Sequence, residues 1–585
     1  MSNENILVVI VTHNAAPFLH LCLDPFVDDR KGIDIMVVDN GSTDDTLQQL
    51  GSDFPFVEVH PRSHNLGFGA ANNIGLELAL VRGYKGVVLL NQDAQISADT
   101  IRALAAQADK DPEIGVISPL HLSADGKQVE RGFAHYLPED TSKPLIEVPA
   151  ANAAIWYVPR QTLLTVGLFC PLFFHYGEDT EFCSRLQAAG LKLVIDTTRT
   201  GIHARSESTP TPEKRRWLDY TYHLTELCSP LYESTLLRYW RGPIKLWLKG
   251  GDGKRLWRLR KEANLWLRRP PLDLAGLKRV YNDTPKAPVL LLVYNRPKHT
   301  AQLLRDYWRQ PEAEETPLYI LSDGAKGDDD IDSVHEVRAI VQEMAQHPMV
   351  TLWEQPTNVG LARNVTEGVS RVLARHECVI VLEDDLRLSP YLLRWMNDNL
   401  QIHSHHKEIA HIHAGTFYSS AQLAPNHLLS FAGSWGWATW RDRWESLWEP
   451  DGKKLLQQLE ANPDQKRDFN YAGFMRFSKM LQAQVEGRNN SWAIRWHASI
   501  LLHNKLSINA QPPMVSNSGF DGSGTHCAND RRYTTPVTPY PVYAHEYQEV
   551  VEDQSARKIL RHYYTRTNNK LVKGYYKLKS LVSRR

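Results

Sequence analysis

The sequence predicts an α/β chain made of two similar, mainly parallel-sheet domains. Three observations carry this expectation. Short apolar runs rich in β-branched residues alternate with helix-length stretches. The runs end in a carboxylate, with residues 33–38 leading into Asp39 and residues 87–90 into Asn91-Gln92-Asp93. The whole series recurs about 280–290 residues later, a domain-sized period rather than that of a solenoid. There, residues 289–293 precede Tyr294-Asn295, residues 318–321 precede Ser322-Asp323, and residues 379–382 precede Glu383-Asp384-Asp385.

In the first copy, residues 6–11 read as a buried parallel strand that feeds a loop at Thr12-His13-Asn14. Residues 17–26 follow as a helix with Pro17 in its first turn. Residues 33–38 form a second strand. Residues 40–44 form a turn into a helix, with Ser42 and Asp44 as cap candidates. Residues 68–81 are a helix, and 87–90 the next strand. In such a sheet ligands sit beyond the carboxyl ends of the strands, where Asp39 and Asp93 fall. The second copy repeats the pattern, with residues 361–374 as the helix after Asn358.

Bulk composition narrows the classes. The 585 residues carry 67 Lys and Arg against 67 Asp and Glu, so the chain as a whole is no polyanion binder, and no nucleic-acid partner is expected. Six scattered cysteines without a C-x-x-C pair indicate neither a zinc site nor a disulfide framework. The acidic start Met-Ser-Asn-Glu-Asn and the short run 6–11 do not make a signal peptide. No run approaches the roughly 18 apolar residues of a bilayer span. A cytoplasmic protein, either soluble or peripheral at the inner face of the plasma membrane, is therefore expected.

The expected organisation is a first domain over 1–210, a helical basic and aromatic linker over 211–285, a second domain over 286–545 and a basic tail over 546–585. The linker interleaves Arg241, Lys245, Lys249, Lys254 and Arg258 with Trp240, Trp247, Trp257 and Trp266. A helix basic on one side and apolar on the other suits an anionic lipid surface. A connector that packs its tryptophans between the domains is the plainer alternative.

Asp93 at a strand end suits a divalent cation that bridges a diphosphate. Glu178-Asp179, flanked by Phe173, Phe174, Tyr176 and Phe182, suits a general base in a dry pocket, or else a helix cap. His203, at another strand end, is a possible third ligand. These motifs, with Asn65-Leu-Gly-Phe-Gly69, give copy one a resemblance to the family 2 glycosyltransferases of GT-A fold, particularly the rhamnosyltransferase-like branch, over about 1–210. Copy two resembles the bacterial relatives of N-acetylglucosaminyltransferase I over about 286–530. Its carriers include Tyr294-Asn-Arg-Pro297, Ser322-Asp-Gly324, Asn358-Val-Gly-Leu361, Leu382-Glu-Asp-Asp385 and Gly433-Ser-Trp-Gly-Trp-Ala-Thr-Trp-Arg441.

The resemblance implies a bifunctional inverting glycosyltransferase. It would take dTDP-, UDP- or GDP-linked donors with Mn²⁺ or Mg²⁺, and a glycan acceptor carried on polyprenyl diphosphate. In copy one it assigns Asp93 and His203 to the metal, and Thr12, Asn14, Asp39, Asn65 and Asn91 to the donor. Asp179 would be the base, supported by Glu178. In copy two it assigns Arg296, Asp323, Asn358, Glu383 and Asp384 to the donor site, and Asp385 and His526 to the metal. Glu486 and Asp521 are the base candidates there.

The tryptophans of 435–448 read equally as a sugar-stacking wall or as core. His403, His405, His406, His411 and His413 are not read as a metal site, for want of a nearby carboxylate. The alternatives are a chain with one catalytic domain and one scaffold, a non-catalytic sugar binder, and a nucleotidyltransferase. The last lacks its Gly-rich basic signature.

Overall fold

The computed structural model describes residues 3–205, 211–232, 236–249, 251–281, 284–416, 418, 423–520 and 535–567. The chain forms two compact units, Met1–Asn282 and Asp283–Arg585. Both are α/β, as the sequence predicts.

In the first unit the strands are β1 Asn3–Thr12, β2 Ile33–Asn40, β3 Glu58–Arg62, β4 Tyr84–Asn91, β5 Ala94–Gln95, β6 Ile114–Leu122, β7 Leu145–Val148, β8 Ile155–Pro159 and β9 Lys192–His203. The sheet order is β3-β2-β1-β4-β8-β6-β9-β5, with β7 beside β9. Strands β3, β2, β1 and β4 are parallel. The turn to antiparallel pairing comes at β4–β8. Val8, Val9, Val37, Val38 and Val88 are wholly buried, as a sheet covered on both faces requires.

The helices of this unit are α1 Leu19–Leu23, α2 Thr46–Asp53, α3 Phe68–Arg82, α4 Ala98–Lys110, α5 Arg131–Ala134, α6 Arg160–Val166, α7 Glu178–Ala188, α8 Pro212–Cys228, α9 Leu236–Leu248, α10 Gly253–Leu267 and α11 Leu274–Val280. The helix expected over 17–26 is broken into the 3₁₀ turn Ala16–Phe18, α1 and the 3₁₀ turn Asp24–Phe26. Pro25 lacks the N–H that would continue it. Helix α3 lies tight on the sheet: a Cβ at Gly75 would come 2.5 Å from Val9. Neither residue expected to cap at the 40–44 turn is the N-cap of α2, which is Asp45. Asp44 accepts from the Thr46 amide at 3.1 Å, whereas Ser42 turns back to Asp39.

The basic segment packs on this first unit. The Trp266 indole donates to Glu181 at 2.8 Å, and Glu181 is paired with Arg185 at 2.8 Å, all three buried. Tyr281 donates to Glu77 at 2.6 Å. Removing one member of such a buried ion pair typically costs about 3–5 kcal/mol.

The second unit has β10 Val289–Val293, β11 Leu318–Ser322, β12 Val350–Glu354, β13 Cys378–Glu383, β14 Leu386–Leu388, β15 Ile409–His413, β16 His427–Leu429, β17 Trp437–Trp440, β18 Leu506–Asn509 and β19 Val515–Asn517. Its main sheet runs β12-β11-β10-β13-β17-β15-β18-β16, with β14–β19 as a separate ribbon. From β12 to β18 the order and the polarities repeat those of the first unit. Its helices α12 Pro297–Trp308, α13 Ile331–Met344, α14 Leu361–Leu373 and α15 Leu392–Ile402 flank the sheet. Gly368 of α14 matches Gly75: a Cβ there would stand 2.9 Å from Leu290.

Candidate active sites

In the first unit, the register places Thr12 beside Asp39 and Val11 beside Asn91, so three strand ends share one edge. Asp39 is buried and hydrogen-bonded through both oxygens. It accepts from the Thr12 hydroxyl at 2.9 Å, from the Ser42 amide at 3.1 Å and from the Ser42 hydroxyl at 2.5 Å. Asn14, at φ +52°, accepts from the Thr43 amide at 2.8 Å. Asn65 accepts from Asn40 at 3.0 Å and from the Gly67 amide at 2.8 Å. The first three loops are thus laced together by the residues singled out for the donor.

Asp93 and His203 meet through the short ladder β5–β9. Ala94 pairs with His203, and the Ala204 amide donates to the Asp93 carbonyl at 2.8 Å. His203 Nε2 lies 3.5 Å from Asp93 Oδ1. Burial works to raise the Asp93 carboxyl, but the hydrogen bond and charge of His203 outweigh it and hold the group below its ordinary range. Behind the imidazole, Glu130 Oε2 lies 3.9 Å from His203 Nδ1, and neither atom has a hydrogen-bond partner. The buried Asn91 Oδ1 also has none. Hard oxygen and imidazole donors at this spacing, backed by a carboxylate, fit Mn²⁺ or Mg²⁺ with positions left for phosphate oxygens.

The Glu178-Asp179 pair opens α7. The preceding loop is contorted: Tyr176 has φ +67° and Gly177 φ +90°. Such a conformation for a tyrosine costs about 1–3 kcal/mol and persists where its surroundings enforce it. Trp217 of α8 donates to the His175 carbonyl at 2.9 Å, Thr225 donates to the Gly177 carbonyl at 3.3 Å, and the Phe68 amide donates to the Phe174 carbonyl at 3.0 Å. Burial, then the Asp179 charge, pushes Glu178 up to about 8. Burial also raises Asp179, against hydrogen bonds from the Thr180 amide at 2.7 Å and hydroxyl at 3.3 Å. Burial and mutual repulsion thus both work against the two carboxyls being ionised together, while the N-terminus of α7 favours negative charge there.

In the second unit the same edge is closed by charge. Arg296 donates to Asp385 at 2.8 Å and lies 3.8 Å from Asp384. Burial, then the neighbouring carboxylates, lifts Glu383 to about 8 and Asp384 to about 7. Asp323 is buried and accepts from the amides of Gly324 at 2.9 Å, Val359 at 2.9 Å and Gly360 at 3.0 Å. Asn358 donates to the Gly324 carbonyl at 2.9 Å. Leu386 pairs with Asn517 in β14–β19, and the Ser518 amide donates to the Asp385 carbonyl at 2.7 Å. Asn517 so holds the place that His203 holds in the first unit.

Residues 7–140 match the family model for glycosyl transferase family 2. The N-terminal unit carries a family 2 glycosyltransferase domain. The chain is 26% identical over 279 residues to the N-acetylglucosaminyl-diphospho-decaprenol L-rhamnosyltransferase of Mycobacterium tuberculosis (strain CDC 1551 / Oshkosh), covering 42% of this chain and 89% of the relative. It is 29% identical over 211 residues to the dTDP-rhamnosyl transferase RfbF of Shigella flexneri, covering 34% and 70%. Among solved structures, GalNAc-T7 with UDP, GalNAc and Mn²⁺ overlays at a TM-score of 0.31 with 16% identity, over 47% of this chain and 53% of that one.

In the family 2 domain, two residues not singled out in the sequence, Glu130 and Trp217, support the site. Neither has a motif, and only the fold brings them to His203 and His175. In the second unit Glu486 caps the helix Phe477–Val485, exposed and paired with Arg488. His526 and Asp521 lie outside the described residues.

The tryptophan wall resolves mostly as core: Trp437, Trp440 and Trp444 are buried, and Trp437 stacks on Trp492 at 5.0 Å. Trp435 is partly exposed and lies edge-on to Phe520 at 5.5 Å. The histidine run does gain a carboxylate, because ligand atoms of His403, His406 and Glu546 lie within 4.8 Å of one another. His411 and His413 are buried strand residues, bonded to the Gly433 carbonyl at 2.8 Å and to Asn509 at 3.0 Å.

Proposed function

We propose that the chain is a bifunctional inverting glycosyltransferase that moves sugars from nucleotide-sugar donors to a polyprenyl-diphosphate-linked glycan at the inner face of the membrane. One observation carries this reading. In the first unit, the Asp93–His203 pair and the Glu178–Asp179 pair at a helix N-terminus, Glu178 buried and Asp179 half-buried, are both built on loops laced to one sheet edge. The two curated relatives, named for rhamnosyl transfer, support a deoxyhexose donor, and the mycobacterial one supports a lipid-linked acceptor.

Thr12, Asn14, Asp39, Asn65 and Asn91 would shape the nucleotide cleft. Asp93 and His203 would hold a divalent cation, which offsets the charge that builds on the leaving diphosphate. Asp179 takes the proton of the acceptor hydroxyl as that oxygen attacks the anomeric carbon. The bond from that carbon to the diphosphate oxygen breaks, and the configuration inverts. Glu178, protonated, keeps the second charge out of the pocket. A base so positioned typically contributes about 10²–10⁴-fold.

The second unit would perform a second transfer, with Arg296, Asp323, Asn358, Glu383 and Asp384 around the donor and Asp385 toward the metal. His526 remains a proposed further ligand, and Glu486 and Asp521 the base candidates. A fused pair raises the local concentration of the first product at the second site. The Arg296 bridge and Asn517 favour a second reading, in which this unit only binds glycan. The full chain should be given dTDP-, UDP- and GDP-sugars with Mn²⁺, and released nucleoside diphosphate measured for the wild type, Asp93→Ala and Asp385→Ala. Two activities, each lost in one variant, support the first reading. One activity, lost only in Asp93→Ala, supports the second. No release from any donor rejects both.

A further inference from the structure

Helix α9 is divided lengthwise into three strips. At about 100° per residue, Trp240, Ile244, Trp247 and Leu248 fall on one arc, Arg241, Lys245 and Lys249 on the next, and Gly242, Pro243 and Leu246 on the third. The third strip faces the protein. Leu246 is buried, and a Cβ at Gly242 would stand 3.2 Å from Leu256 of α10 and 3.3 Å from His223 of α8. The first strip faces outward: Trp240 is 51% exposed, Ile244 48%, Trp247 65% and Leu248 71%. Tyr222 of α8 is also exposed. Isolated exposed apolar residues are ordinary, but a run of them along one helix face marks an interaction surface.

The charge beside the strip identifies the partner. Between residues 236 and 269 there are eleven Lys and Arg against two acidic residues. Of these, Arg241, Lys245, Lys249, Lys254, Arg258 and Lys261 are exposed. Trp240 packs against Trp257 of α10 at 4.4 Å, so the aromatic edge is held by the fold. A rigid helix with tryptophans outward and cations along their flank matches the boundary between lipid headgroups and acyl chains.

We propose that the outward strip of α9, Trp240, Ile244, Trp247 and Leu248, inserts into an anionic phospholipid surface while its lysine strip engages the headgroups. This rests on the lipid-linked acceptor reading above and names the surface that presents that acceptor. The attachment belongs to the first unit, whose α8 also braces the loop before Glu178.

The test is co-sedimentation of the full chain with vesicles of phosphatidylcholine alone or with about a third phosphatidylglycerol. The wild type should bind the anionic vesicles and lose binding as salt rises. Lys245→Glu should weaken binding about tenfold or more, and the double variant Trp247→Ser/Leu248→Ser should weaken it at least as much. Both act on exposed side chains, so nucleotide-sugar hydrolysis without vesicles should stay at the wild-type rate. Failure of the wild type to bind anionic vesicles, or undiminished binding by the double variant, overturns the proposal. So does a wild-type dimer that the double variant splits, without vesicle binding. Hydrolysis absent from the wild type would reject the transferase reading and leave the vesicle result to stand by itself.

Discussion

The side-chain amide of Asn517 lies 3.3 Å from Asp385 Oδ1, at the station in the second unit that an imidazole occupies in the first. The backbone makes the correspondence. In each unit the residue after the strand-end aspartate pairs with this station, and the next amide along returns to the aspartate carbonyl. The Asn517 amide turns its NH₂ to Asp385 and its oxygen accepts from the Gly519 amide at 2.8 Å, so it does not offer a metal the ring nitrogen that His203 offers, and the two sites should differ in metal affinity.

Asn517→His should therefore tighten Mn²⁺ binding at the second site by about tenfold, on the scale at which ligand-shell changes act. Titration followed by the Mn²⁺ paramagnetic resonance signal reads this directly, in an Asp93→Ala background that silences the first site. An unchanged titration would break the correspondence.

Asp93→Ala and His203→Ala should each lower donor turnover by the first unit about a hundredfold or more, since a Lewis acid contributes several kcal/mol to such a step. Glu130→Gln should have a smaller effect and weaken Mn²⁺ affinity by about tenfold. Metal binding and turnover measured on the same preparations separate the two roles.

Asp179→Asn should reduce transfer by about 10²–10⁴-fold with donor binding retained. The pH dependence has a definite sign. Because Asp179 is raised, kcat/KM should begin to fall on the acid side at a higher pH than an ordinary carboxylate would give.

Glu178 is lifted to about 8, so folding favours its protonated form. That stability is full below the unfolded value near 4.5 and is lost as pH rises through about 8. In Glu178→Gln the melting temperature of the first unit should change less between pH 5 and 9 than in the wild type, by a few °C. Scanning calorimetry on the two full chains checks it.

Gly67 and Gly360 cap equivalent helices with φ near +80° and ψ near 160°, a region reserved for glycine. Alanine at either should cost about 1–3 kcal/mol. Gly67→Ala should cost more, because its Cβ would also lie 2.1 Å from the Phe174 carbonyl oxygen, whereas among the described residues nothing beyond its chain neighbours and its own helix lies within 4 Å of the same position at Gly360. Hydrogen exchange in α3 and α14 reports each effect locally.

The strand-end residues Asp39, Asp93, Asp323 and Asp385 were legible in the sequence because a buried parallel strand is a continuous apolar run, and each of these lies within the first three polar positions after one. The partner of each aspartate was not. Ladders β5–β9 and β14–β19 are only two or three residues long and join segments more than a hundred residues apart, so local pattern carries no trace of them. The same holds for Glu130 behind His203 and for Trp217 beneath His175. The basic segment was legible in composition, but which tryptophans turn inward depends on α8 and α10. Trp266 is buried on Glu181 while Trp247 is exposed, and both sit in similar Leu-Trp-Leu surroundings.

The indole of Trp266 on Glu181 sets where the first unit can be cut free. A fragment that stops near residue 210 would strip the donor from a carboxylate sealed among apolar side chains and remove the helix beneath His175. It should aggregate or lose the conformation of the loop before Glu178. A fragment that runs through Tyr281 keeps both supports, and is the smallest piece in which sugar transfer by the first half can be judged fairly.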